Sequence, residues 1–145
     1  MSSYSLENRS RLAAMRRRAL FQMSESCIWR TEFEIVQEFG HRTSNLEGQL
    51  RLWKARRKIF SIHLVGGVEL YPDYVFDLKD CIRPQPGLAA VLRILSEKRE
   101  NSGIAIWFAS HNGWLSGARP IDKLACDPKL VIAAARLSLL PIMHG

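Results

Sequence analysis

Two short stretches between residues 31 and 58 carry apolar residues at the spacing of an amphipathic helix. Thr31 and Glu34 have the spacing of a capping box at the start of the first stretch. We expect Gly40 to end this helix in the left-handed conformation. The apolar positions of this first predicted helix are Phe33, Ile35, Val36 and Phe39.

The second stretch predicts another short helix. We expect Thr43 or Ser44 to cap it, because Glu47 stands three residues after Ser44 and completes a second capping box. A buried stripe is predicted at Leu46, Leu50 and Trp53, which fall at i, i+4 and i+7. The positions predicted to lie wholly or partly outward are Asn45, Gly48, Gln49, Arg51, Lys54 and Ala55.

Two short helices, the second ending in a run of cations, are typical of a helix-turn-helix DNA-binding unit. The second helix of such a unit enters the major groove, where amides read adenine edges and cations hold phosphates. The alternative is an ordinary helical hairpin with a solvated basic face, and this stretch alone does not exclude it. The predicted DNA-binding residues are Arg42, Thr43, Ser44, Asn45, Gln49, Lys54, Arg56, Arg57 and Lys58.

The pattern changes after Lys58 to one typical of β-strands. Residues 59–65 are rich in β-branched and aromatic side chains, with Phe60, Ile62 and Leu64 predicted on one face. Gly66-Gly67 predicts a two-residue hairpin turn, and Pro72 is expected to stop the returning strand. A hairpin directly after a recognition helix is typical of a wing.

Residues 10–23 predict an additional helix before this unit, with a partial apolar face that includes Leu12, Met15 and Phe21. The arginines on its other face fit two interpretations equally well. One is contact with phosphates or with a partner, and the other is simple exposure to solvent.

The second half of the chain is predicted to be helical, after a boundary rich in Pro and Gly at residues 73–87. Helices are expected at 88–99 and 121–126, with a buried apolar segment at 103–111 between them. Asp127 is predicted to cap a last helix whose inward residues are Leu130, Val131, Ala134 and Leu137. The predicted fold is therefore mainly α with a small β-hairpin: a winged helix-turn-helix-like module at residues 1–80, followed by a small helical domain at residues 88–145.

Charge is unevenly distributed along the chain. The net charge is +7, and residues 1–58 hold 12 Lys and Arg against 6 Asp and Glu, a net +6. A sequence pI of about 9.8 favours polyanionic partners, although it does not identify nucleic acid by itself.

Several classes of function find no support in the sequence. Cys27, Cys81 and Cys126 are far apart, which predicts free buried thiols in a reducing cytoplasm and no metal site. No apolar run is long enough to span a membrane, and the N-terminus lacks the apolar core of a signal peptide. No nucleophile–base pair, Gly-rich phosphate loop or carboxylate constellation has a useful spacing, so we expect neither an enzyme nor a cofactor.

The order of these elements resembles bacterial proteins in which a small DNA-reading module precedes the toxin-binding domain of the Xre/MbcA/ParS antitoxins. The resemblance covers roughly residues 31–137, and its most specific segments are 71–77 (YPDYVFD) and 117–124 (GARPIDKL). It implies a helical second domain that dimerises and binds a partner toxin, commonly a RES-domain NAD-degrading enzyme, and repression of the protein's own operon. The predicted partner-binding residues are Arg119, Asp122, Lys123, Leu140, Ile142 and Met143.

Together these observations predict a cytoplasmic, DNA-binding antitoxin that acts as a homodimer, with one reading module per subunit on a two-fold double-stranded DNA site. Two alternatives stay open at this point. One is a stand-alone transcriptional regulator without a toxin. The other is an adaptor or inhibitor that uses its basic face on an acidic protein and never binds DNA.

Overall fold

The chain folds into a mainly helical structure with a small antiparallel sheet, as the sequence predicts. The computed structural model describes residues 3–140, with side chains from residue 6 onward. Its helices are α1 Ser3–Glu25, α2 Glu32–Phe39, α3 Leu46–Ala55, α4 Leu88–Leu95, α5 Asn101–Ala109, α6 Pro120–Leu124 and α7 Pro128–Ser138. Its strands are β1 Trp29–Arg30, β2 Ile62–His63, β3 Glu69–Pro72, β4 Phe76–Asp77 and β5 Arg83–Pro84.

The predicted hairpin is present and belongs to a three-stranded sheet of order β1-β3-β2. Gly66 and Gly67 form its turn at φ values of 98° and 88°, a conformation that glycine adopts without steric cost. Strand β1 was not predicted, and it pairs Trp29 with Pro72 and Arg30 with Tyr71. Within the hairpin, Leu64 is 46% exposed, so the predicted apolar face is wrong at this end.

The capping box at the start of α2 is confirmed. Thr31 Oγ1 accepts a hydrogen bond from the backbone N–H of Glu34, and Glu34 Oε1 accepts one from the N–H of Thr31. The prediction for Gly40 is wrong, because its φ of −61° is right-handed. A glycine fits here for another reason: a Cβ would lie 2.4 Å from the carbonyl oxygen of Val36. Phe33 is also predicted wrongly, since it is 70% exposed.

The start of α3 differs from the predicted capping box. The residue before its first turn is Asn45, in the left-handed conformation at φ 52°, and no side chain caps the helix. Neither Thr43 nor Ser44 therefore takes the predicted capping role. The helix begins one or two residues later than predicted, at the buried Leu46.

Helix α1 is longer than predicted and is mostly exposed to solvent. Only its last turns pack on the body of the protein, where Met23 is buried. The apolar face predicted from Leu12, Met15 and Phe21 is not covered, because each of these side chains is more than 60% exposed. A weak apolar pattern in a helix that projects from the body has no surface on which to pack.

The two predicted domains share one hydrophobic core. Phe60, which precedes the hairpin, stacks on Phe108 of α5 with 6.2 Å between ring centroids. Tyr74 also packs on Phe108, at 5.0 Å. Aromatic pairs at these distances add to the apolar burial. The division into two domains stays a prediction, and the core crosses its boundary.

The second half largely follows its predicted pattern. Helix α4 begins at Leu88 as predicted but ends at Leu95, and its apolar stripe of Leu88, Val91, Leu92 and Leu95 is buried. Asp127 caps α7, with Oδ1 3.2 Å from the backbone nitrogen of Leu130. The prediction of an inward Leu130 is wrong, because this side chain is 38% exposed.

The prediction of buried thiols holds only in part. Cys27 is half-buried, whereas Cys81 and Cys126 are exposed. Burial, reinforced by the charge of Asp73, raises the pKa of the Cys27 thiol to about 11. No helix within residues 3–140 has the length and apolar character needed to cross a membrane.

Candidate nucleic-acid interface

Helix α3 is anchored to the core along one side. Leu46 and Leu50 are 3% and 0% exposed, and Trp53 is half-buried with its ring 6.5 Å from that of Phe76. The predicted stripe is therefore confirmed. Burying such side chains stabilises the fold by about 1.5–3 kcal/mol each, which fixes which side of α3 faces away from the body.

The outward side of α3 carries both signs of charge. Arg51 is exposed, and its Nε and Nη2 atoms lie 3.5 Å from Glu32 Oε1 and 3.7 Å from Glu47 Oε1. The Arg51–Glu47 pair is exposed on both sides and contributes about 0–1 kcal/mol, so a stronger anionic ligand can displace Glu47.

Amide and hydroxyl groups surround the N-terminal end of α3. Ser44 and Asn45 are exposed, while Gln49 is half-buried. The Asn45 side chain lies over Gly48, where an added Cβ would lie 2.6 Å from Asn45 Nδ2. Thr43 faces inward instead, because its Oγ1 is buried and has no hydrogen-bond partner among the described residues. This hydroxyl does not project from the surface as predicted.

Arg42 lies in the turn between α2 and α3, where it is held by two contacts. Its Nη1 donates to the carbonyl oxygen of Leu78 at 3.0 Å, and its guanidinium carbon lies 5.6 Å from the ring centroid of Phe39. The bond to Leu78 ties the turn to the segment that follows β4.

Lys54 does not point freely into solvent. Its Nζ donates to both carboxylate oxygens of Glu69 on β3, at 3.1 and 3.0 Å. The same carboxylate accepts hydrogen bonds from Ser61 Oγ at 2.9 Å and Tyr71 OH at 3.2 Å, and lies 3.1 Å from His63 Nε2. Partial burial by itself raises the pKa of Glu69, but the bonds from Lys54 and Ser61 prevail and hold it below its ordinary value.

The cationic end of α3 comprises Arg56, Arg57 and Lys58, of which Arg56 and Lys58 are exposed. Arg57 is half-buried and adopts φ 57°, the left-handed region that is strained for a non-glycine residue. Its Nη1 donates to Asn101 Oδ1 of α5 at 3.1 Å, and Asn101 Nδ2 donates to the carbonyl oxygen of Ser61 at 2.9 Å. The second half of the chain thus fixes the direction of this guanidinium.

The predicted partner-binding residues lie at the start of α6 and at the end of the chain. Arg119 and Asp122 form a two-contact ion pair at 3.0 and 3.1 Å, and Lys123 is half-buried. Leu140 is 59% exposed. Ile142 and Met143 lie outside the described residues.

The sequence interpretation missed two residues of this surface, Glu69 and Asn101. Both act through partners distant in sequence, 15 residues away for Glu69 and Lys54, and 44 for Asn101 and Arg57. An acidic residue in a strand and an amide at a helix start carry no local signal of such roles.

No family model, curated protein or solved structure matches the chain.

Proposed function

We propose that this chain is a DNA-binding transcriptional regulator of the winged helix-turn-helix type, with α3 as its recognition helix. The observation that carries the proposal is the order α1-β1-α2-α3-β2-β3 combined with the strand order β1-β3-β2. This order supports a winged-helix arrangement, in which the hairpin after the recognition helix would be the wing.

The placement of side chains supports the same function. The buried stripe leaves Ser44 and Asn45 exposed just before the helix that would enter the groove, and Arg51 exposed in its middle. Arg56 and Lys58, at its other end, would bind phosphates. Lys54 would act mainly by bracing the wing through Glu69.

The wing itself has little charge. Its tip carries exposed Leu64, Val65 and Val68, with Val65 fully exposed. Such a tip offers apolar contact to sugars and no cationic side chain, so cations outside the wing would supply the electrostatic attraction.

A titration of purified protein with duplexes from its own promoter tests the proposal. We expect affinity to fall steeply with salt, since each cation–phosphate contact makes the slope of log K against log salt more negative by about 0.9. Asn45→Ala should cost roughly 1–3 kcal/mol on the preferred duplex and relax specificity, whereas Lys58→Gln should weaken all duplexes alike. Lys129→Gln, an equal loss of charge on α7, is the control. Absence of salt-dependent duplex binding would refute the proposal.

The resemblance to antitoxins extends the proposal: the second half would bind a toxin, of RES type, and the DNA-bound dimer would repress its own operon. Trp114, Leu130 and Leu140 are exposed apolar side chains on this half and are candidates for contact with a protein partner. Co-purification with the product of the neighbouring gene tests this part. Loss of the complex in Trp114→Ala, but not in Phe33→Ala, would support it.

An adaptor that binds an acidic protein through the same cations is the competing function. The carboxylates beside the cations argue against it, because Glu32 of α2 and Glu47 of α3 would repel an acidic surface as they do phosphates, without base contacts to compensate. A salt-dependent complex with protein but none with duplex DNA would favour the adaptor.

A further inference from the structure

A cleft of about 340 Å³ separates the C-terminal end of α3 from α4. Three of its five lining residues are arginines, and none is acidic. Arg93 comes from the second half of the chain and was not predicted as a site residue. The lining residues are Arg56, Arg57, Ala89, Arg93 and Ser96.

Compensation of helix dipoles does not account for this concentration of charge. Arg56 and Ser96 are the C-terminal cap residues of α3 and α4, so both helices end at the cleft. Each helix end carries about −0.5 charge, which leaves the three guanidinium groups with an excess of about two positive charges. Neutralising the helix ends would need only one arginine.

The cleft arginines also lack direct carboxylate partners in the described part of the chain. Within residues 6–140, Arg56, Arg57 and Arg93 take part in no ion pair, whereas Arg30, Arg51, Arg83 and Arg119 do. Arg57 is moreover held in place by Asn101 despite its left-handed backbone. Strained conformations persist where the surrounding structure holds them, and they concentrate at binding sites.

We infer that the cleft between α3 and α4 binds a phosphate of the DNA backbone, with Arg93 as its ligand from the second half of the chain. Guanidinium groups bind phosphate oxygens through paired N–H donors, which suits a site built from several arginines. Arg56 and Arg57 directly follow the proposed recognition helix, so the backbone beside the groove is the phosphate source nearest to the cleft. The inference rests on the proposed function, and it makes both halves of the chain part of one DNA-binding surface.

The test compares Arg93→Gln with Arg93→Lys in full-length protein, by titration with a promoter duplex and a scrambled duplex over a range of salt. Arg93→Gln should make the slope of log K against log salt less steep by about 0.9, and it should weaken binding to both duplexes by the same factor. Arg93→Lys should keep the slope, because it keeps the cation. Lys129 does not line the cleft, so Lys129→Gln should leave the slope of log K against log salt at its wild-type value.

A second pair of variants leaves every arginine in place. Ala89 is exposed and lines the cleft, so Ala89→Glu puts a carboxylate beside the guanidinium groups, while Ala89→Gln has nearly the same size without the charge. We expect Ala89→Glu to weaken both duplexes and Ala89→Gln to bind like the wild type. A glutamate in the first turn of α4 is compatible with the helix.

The outcomes separate this inference from the proposed function. If the wild type binds duplex DNA but Arg93→Gln binds like Arg93→Lys and Ala89→Glu binds like Ala89→Gln, the phosphate site is overturned. The proposed regulator function is then unaffected. Wild-type protein that binds no duplex at low salt overturns both, including when it binds an acidic protein instead.

Discussion

Lys54 Nζ lies 3.0 Å from Glu69 Oε2, and this contact joins helix α3 to strand β3 of the hairpin. The lysine stands in a run of cations that predicts phosphate contacts, yet its charge is already matched within the fold. Removing one partner of a partly buried charged pair leaves the other without its hydrogen bonds, which costs more than the pair contributes by itself.

Glu69→Gln should therefore destabilise the protein at neutral pH by roughly 1–3 kcal/mol. The pKa of Glu69 is lowered in the folded state, so its contribution is present above the pKa of an unfolded glutamate and is lost as pH falls through the folded value. The difference in unfolding free energy between wild type and Glu69→Gln should accordingly shrink on acidification. Urea unfolding of both proteins at about pH 7 and about pH 3 measures this difference. The two pH values lie on either side of the ordinary glutamate pKa. A difference that is independent of pH would contradict the assignment.

Thr31→Ala should lower the unfolding free energy by about 0.5–2 kcal/mol, because it removes the hydroxyl that accepts the N–H of Glu34. Ser44→Ala is the matched control. Ser44 also precedes a helix and fits a capping box in sequence, but α3 has no side-chain cap, so the change should stay within about 0.5 kcal/mol. Urea unfolding of the two variants compares them directly, and equal losses would mean that α3 is capped after all.

Leu50→Ala should cost about 2–5 kcal/mol, since this fully buried side chain fixes α3 to the core. Leu52→Ala removes the same atoms from the next leucine along the chain, whose side chain is 41% exposed. This change should cost about 0.5 kcal/mol or less. Thermal and urea unfolding measure both. The reverse order would place the other side of α3 against the body.

Phe108→Ala tests whether the shared core makes the two halves cooperate in folding. We expect a loss of about 3–5 kcal/mol, because the ring packs on Phe60 and Tyr74 as well as on Trp107. Hydrogen exchange should then accelerate in β3 of the first half and in α7 of the second. Acceleration confined to α5–α7 would show instead that the halves unfold independently.

The three cysteines should differ in reactivity toward a thiol reagent at about pH 8, near the ordinary pKa of a free thiol. Cys81 and Cys126 are exposed and should react first, whereas burial and a pKa of about 11 should slow Cys27. Mass spectrometry of the labelled sites gives the order, and the denatured protein, in which all three should react alike, is the control. Equal rates in the folded protein would be inconsistent with the burial of Cys27.

Local chemistry made part of the fold predictable. The capping box of Thr31 and the Gly66-Gly67 turn depend on neighbours within a few residues, and both are confirmed. Strand β1 has only two residues and exists because β3 pairs with it, so its own sequence gives no signal. Phe33 and Leu130 occupy apolar positions in their helices, but whether such positions are covered depends on the arrangement of distant elements.

The candidate site shows the same division. The run of cations at the end of α3 is visible in sequence. Which of these cations is paired, anchored or exposed is set by residues far along the chain. Glu69 holds Lys54, Asn101 holds Arg57, and Arg93 joins the cleft only through the packing of α4. A single sequence without its contacts reveals none of these three relationships.

The stacking of Phe60 on Phe108 has a practical consequence for truncated versions of the protein. A fragment that stops near residue 80 would retain Phe60 and Tyr74 but lose the ring that covers them. Two bare aromatic side chains at its surface would promote aggregation of such a fragment during expression. Crystallisation or binding trials on the first half of the chain therefore need the polypeptide through α5 at least, or polar replacements at both rings.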